Sequence, residues 1–158
     1  MVAADPRRSR TAPARARGED SGMSTIITER LTAYLIIGQE TGVDFTVNAS
    51  YDEHDPYAVR LDFPVLDPEG NLLTWVFSRA LLDEGLTAPT GDGDVHVWPC
   101  GSDLVMLELR SDVGAARIAL VVRQVRAFLF LSYAEVPPGF ESDYVEIDQL
   151  VHDLLGRA

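Results

Sequence analysis

The sequence predicts an α+β domain in which antiparallel β-sheets are followed by two C-terminal helices. Two observations carry that reading. Apolar residues alternate with a period of two through the first half and beyond, in short runs separated by Gly-, Asp- and Pro-rich turns, and the period then becomes helical from about residue 121. A length of 158 residues is enough for one domain with its own core.

The elements follow in order. Residues 1–22, MVAADPRRSRTAPARARGEDSG, hold five arginines, two prolines and almost no large apolar side chain. Such a segment cannot bury enough surface to offset its ordering entropy. It is expected to be a disordered leader or an overcalled start, with translation beginning at Met23 and one domain over 23–158. It also lacks the apolar stretch of a secretory signal. Residues 31–37 are almost continuously apolar, which fits a strand buried on both faces. Four further rows point inward by alternation: Phe45, Val47, Ala49 and Tyr51; Tyr57, Val59, Leu61 and Phe63; Leu73, Trp75 and Phe77; Val95 and Val97. Val105, Leu107 and Leu109 make another. Turn chemistry sits between them at 67–71, 91–94 and 112–114.

In the first long helix Val121, Val122, Val125, Phe128 and Leu129 share one face, with Arg123, Arg126 and Ala127 opposite. Phe130 lies about 180° from the apolar stripe, between the two arginines. Val136-Pro137-Pro138-Gly139 stops that helix. Asp143 with Glu146 supplies an N-cap pair for the last helix, whose stripe is Ile147, Leu150, Val151, Leu154 and Leu155.

Charge narrows the function. Residues 23–158 keep 8 arginines against 22 acidic residues, a net charge of −14, and the chain has no lysine. Such a body repels phosphate backbones and anionic membrane surfaces, so nucleic acid is not an expected partner. No apolar run approaches the roughly 18 residues that span a bilayer, so membrane insertion is not expected either. The single Cys100 rules out an internal disulfide, and a lone thiol with no base beside it in sequence reads as a turn residue. The reading is of a soluble protein of a reducing compartment.

Catalytic and metal chemistry find little support. His54, His96 and His152 lack the spacing of a metal site, so each reads as a surface or strand residue. Asp92-Gly93-Asp94 starts like a calcium loop, but a strand follows where further ligands should come. No serine sits in a nucleophile elbow, and the many acid pairs point to no particular reaction. The chain therefore reads as non-enzymatic, without cofactor or metal. The better lead is an exposed aromatic flanked by arginines, a composition typical of protein interfaces, which singles out Arg123, Arg126 and Phe130.

The middle of the chain adds a family resemblance. DPYAV (55–59), WVFSRALLDEGL (75–86) and TGDGDVHVWP (90–99), in that order, resemble the SsgA-like sporulation and cell-division proteins of actinobacteria. Leu107-Glu108-Leu109, Phe128-Leu129, Val136-Pro137-Pro138-Gly139 with Glu141, and Ile147-Asp148 before Leu150 agree, extending the likeness from about Phe45 to Leu155. Two places depart from the family pattern: Leu120-Val121-Val122 lacks a common proline, and Phe130-Leu131 replaces polar residues. The resemblance implies a Whirly-like fold assembled as a trimer. It also implies a cytoplasmic, septum-recruited regulator, without cofactors, that binds FtsZ or another septal protein. The same fold implies an alternative use, single-stranded nucleic-acid binding, for which the positive backbone groove is missing.

Overall fold

The structure is a computed structural model describing residues 5–8 and 25–156. Its strands are β1 (Asp5–Arg8), β2 (Ile26–Ile37), β3 (Glu40–Asp52), β4 (Ala58–Leu66), β5 (Leu72–Ser78), β6 (Val95–Cys100), β7 (Leu104–Ser111) and β8 (Gly114–Val121). They form one curled antiparallel sheet in the order β1-β5-β4-β3-β2-β8-β7-β6. Helix α1 (Arg79–Glu84) makes the corner between β5 and β6, and α2 (Val122–Glu135) and α3 (Glu141–Gly156) end the chain. The α+β order of strands, then helices, is as the sequence predicts.

Alternation builds the core. Val47, Ala49, Tyr51, Val59, Leu61, Phe63, Trp75, Phe77, Val95, Val97, Val105, Leu107 and Leu109 are all buried on the inner face of the curl. Each valine, leucine and phenylalanine among them contributes roughly 1.5–3 kcal/mol by leaving water. Val125, Phe128 and Leu129 of α2 close the core. The long β2–β3 hairpin joins the two halves of the sheet, because β2 also pairs with β8 through Ala33↔Leu120, Tyr34↔Ala119 and Leu35↔Ile118.

The turns obey their residues. In the 67–71 turn the Asp67 carboxylate accepts from the Glu69 and Asn71 N–H groups, while Gly70 takes a positive φ of 91°. Asp112 and Val113 make the two-residue link of β7 to β8, where Ser111 pairs with Gly114.

Four expectations are corrected. The 31–37 run is fully buried only at Leu31 and Ala33; Thr32, Tyr34, Leu35 and Ile36 are partly covered, and Ile37 is exposed. Beyond Leu35 the ladder to β8 ends, while the β2–β3 hairpin runs on to the Ile37–Glu40 pair with only β3 beside it in the sheet. Tyr57 is exposed because it precedes β4 and lies in the turn rather than in the strand row. Val121 is the last residue of β8, held by its pairing with Leu104, so α2 begins at Val122. Helix α3 starts at Glu141, two residues before the expected cap. The Glu141 carboxylate accepts from the Gly139 N–H, and the Asp143 N–H donates to the Phe140 carbonyl.

Candidate functional site

Arg123, Arg126 and Phe130 are exposed on α2, and Phe130 retains 72% of its surface. Spacings of three and four residues put the three on one helical face, opposite buried Val125, Phe128 and Leu129. Leu131, beside them, is 36% exposed. On α3 the side chains of Val151, Leu154 and Leu155 are exposed as well, at 47%, 69% and 71%. Ile147, Leu150 and His152 carry side chains outside the described residues.

What positions the helices is a buried charge that sequence reasoning missed. Arg79 is only 1% exposed. It enters the core because β5 delivers it at the first position of α1, where the Ser78 hydroxyl caps the helix by accepting from the Leu81 N–H. Its guanidinium donates to Glu141 at 2.8 Å and to the Ser132 carbonyl and hydroxyl at 3.2 and 3.3 Å. It also stacks over the rings of Tyr51 and Tyr133, 4.6 Å from each centroid. Strand β3, α1, α2 and α3 therefore meet on one cation.

The surrounding groups are tuned to it. Burial disfavours the Glu141 anion, but hydrogen bonds from Arg79 and from the backbone N–H groups of Glu141 and Gly139 outweigh it and hold the carboxyl below its usual range. Burial pushes the Tyr51 phenol well up, against the pull of Arg79. Burial and a hydrogen bond donated to Asp83 do the same to Tyr133. A signal existed: WVFSRALL puts one arginine inside an apolar stretch. Its partners, however, come from distant positions.

A second ionic row crosses the outer face of the sheet. The register aligns His96, Glu108 and Arg117 on β6, β7 and β8. Glu108 is 6% exposed and accepts from Arg117 at 3.2 Å and Arg110 at 3.1 Å, with His96 Nδ1 3.9 Å away. Burial works against its anion, but the arginine hydrogen bonds prevail and lower its pKa. The geometry of this row is that of a cross-strand ion cluster.

The remaining sequence candidates do not converge. His54 is exposed, 3.5 Å from Asp52. His96 Nε2 bonds the Gly93 carbonyl at 3.0 Å across the Gly-Asp turn. Among the described residues no group of His, Cys, Asp and Glu could hold a metal. Cys100 is exposed at the end of β6, ahead of the Gly101 turn. Trp75 is buried and Trp98 half-buried. An open cleft of about 600 Å³ between α1 and β6 includes Glu84, Asp92, His96 and Trp98 in its wall. In it the Thr90 hydroxyl donates to the Glu84 carboxylate at 3.3 Å, while His96 is engaged by the Gly93 carbonyl of the turn. No helix among the described residues is long and apolar enough to cross a membrane.

Comparison with known proteins agrees with the middle of the chain. The family model described as Streptomyces sporulation and cell division protein, SsgA, matches residues 45–141. That interval contains both Arg79 and Glu141 and stops short of Leu155. The sporulation-specific cell division protein SsgB of Streptomyces coelicolor is 36% identical, over 86% of this chain and 100% of its own length. SsgB of Thermobifida fusca is 38% identical, over 81% of this chain and 94% of its own. The crystal structure of an SsgA-like sporulation-specific cell division protein from T. fusca superposes with a TM-score of 0.72 at 36% identity, covering 85% of this chain and 99% of that one. The order of motifs, the curled sheet and these matches lead to one conclusion: the chain belongs to the SsgA family of sporulation and cell division proteins.

Proposed function

We propose that this protein is a non-enzymatic regulator of sporulation-associated division, acting in septum placement or septal wall assembly by binding other proteins. The observation that carries the reading is apolar surface left bare on both long helices, with Phe130 at 72%, Leu154 at 69% and Leu155 at 71% exposure. The names of the relatives, sporulation-specific cell division proteins, support the setting. Arg123, Arg126 and Phe130 form the partner-facing patch, an aromatic anchor between two bidentate donors. The α3 row is the contact between copies in a homo-oligomer, a trimer with the Whirly type of subunit. The partner is FtsZ or another septal protein, met in the cytoplasm and at the septum, and no cofactor takes part.

Phe130→Ala tests the patch. Because the side chain is outside the core, the variant is expected to fold normally, to keep its oligomer mass in light scattering and to lose retention of purified FtsZ. If retention is unchanged, the patch is wrong. A fluorescent fusion tests the setting: septal ladders are expected in sporulating hyphae, and a diffuse signal counts against a division role.

A further inference from the structure

The two edges of the sheet are not equivalent. At the β6 edge, Val97 exchanges both backbone hydrogen bonds with Thr90, at 2.9 and 3.0 Å, and Pro99 has no N–H to offer. That edge is closed to strand addition. The β5 edge is different. Its sequence LLTWVFS contains neither proline nor charge, and in the structure it is taken by β1, in the antiparallel register Asp5↔Val76, Pro6↔Trp75, Arg7↔Thr74 and Arg8↔Leu73.

This occupant is a poor match for its seat. Strand β1 is only four residues long. Its Arg8 stands opposite Leu73, which belongs to the inward row of β5. Leu73 and Trp75 line an apolar cleft of about 600 Å³ that Val43, Phe45, Val65 and Val113 complete at the open end of the curl. Arg7, by contrast, stands opposite Thr74, whose hydroxyl donates to Asp62 on β4. The seat therefore favours apolar residues opposite Leu73 and Trp75, and a second cation opposite Thr74, beside the Asp62 carboxylate that Arg60 already reaches at 3.1 Å.

We infer that the β5 edge is a strand-acceptor site for an extended partner segment of alternating apolar and basic residues, and that β1 covers it in cis until such a segment displaces it. Main-chain pairing supplies the affinity, and the cleft and Asp62 supply the choice of side chains. The surface is separate from the α2 patch and stands without it.

The probe is a fluorescein-labelled peptide, Gly-Arg-Val-Arg-Val-Arg-Val-Gly, titrated into the full chain by anisotropy, with Trp75 emission in a Trp98→Phe background as a second readout. Arg7→Pro, which removes a ladder donor from β1, is expected to tighten binding by about tenfold, as removing a competitor that holds the edge nine-tenths of the time requires. Asp62→Asn is expected to weaken it, and a peptide with glutamate for arginine to bind at least tenfold more weakly. The inference is overturned if the glutamate peptide binds equally, if neither chain binds the probe, or if Arg7→Pro leaves affinity unchanged. It is equally overturned if Arg7→Pro raises the oligomer mass, for then a second copy of this chain takes the edge.

Discussion

The guanidinium of Arg79 and the carboxylate of Glu141 meet at 2.8 Å although 62 positions separate them in the chain. The pair joins the corner after β5 to the start of the last helix, and it is 2% and 16% exposed at its two side chains. Its worth lies in arrangement. A buried ion pair adds little net stability over apolar packing, but loss of one member leaves the other charge without compensation.

Arg79→Ala is therefore expected to cost about 3–5 kcal/mol in urea unfolding. Arg79→Lys keeps the charge, but a compact ammonium lacks the planar fork that reaches Glu141 and Ser132 and stacks on both tyrosines, so it rescues only partly. In a double-mutant cycle Arg79→Met with Glu141→Gln should cost less than the sum of the singles. Additive losses would show that the pair is not coupled.

Acid should weaken the fold in a defined window. Glu108 and Glu141 are held below the ordinary carboxylate value of 4.5 in the folded state. The unfolded chain therefore binds protons at these groups first as pH falls. The stability they contribute is fully present above that value and is lost as pH drops through their folded pKa values. Denaturation midpoints at pH 3 to 6 should fall less steeply in Glu141→Gln than in the wild type. An unchanged slope would remove Glu141 from the account.

Gly85 is fixed by space. A Cβ there would stand 2.1 Å from Val97 Cγ1 and 2.4 Å from Val97 Cβ, since the end of α1 packs directly on β6. Gly85→Ala is expected to destabilise by about 1–3 kcal/mol or more. Shrinking the neighbour with Val97→Ala should recover part of that loss in the double variant. A neutral Gly85→Ala would disprove the close packing.

Gln124 prolongs a ladder that β8 leaves unfinished. Its Oε1 accepts from the Thr32 N–H at 2.6 Å, and its Nε2 donates to the Thr32 hydroxyl at 3.2 Å, one position beyond the last β2–β8 pair. Gln124→Ala strands a part-buried donor and should cost about 1–3 kcal/mol. Amide exchange at Thr32 should rise with it, while exchange at Val47 in the core stays slow.

Much of the fold was legible because alternation is local. Inward residues of a sheet repeat every second position wherever the sheet curls, so Val47, Leu61, Phe77 and Leu107 reveal their burial without knowledge of their neighbours. Phe130 was legible for the same reason, since a helical angle needs only the residues of its own helix. Ile37 and Tyr57 misled because coverage ends where a neighbouring element ends, a tertiary fact. The meeting at Arg79 was illegible on other grounds. A charge is placed inside only when Tyr51, Ser132, Tyr133 and Glu141 converge on it, and no period in the sequence encodes that convergence.

The same meeting sets an order of events during synthesis. Local pairing of β2 with β3, β4 with β5 and β7 with β8 requires only adjacent hairpins and can proceed as the chain emerges. Arg79 must wait for a carboxylate that is translated 62 residues later. Until then the Arg79 guanidinium, with Tyr51, Ser132 and Tyr133 as its other neighbours, lacks the carboxylate that balances its charge. The last helix thus acts as a latch on the first, and completion of the chain is the signal that closes it.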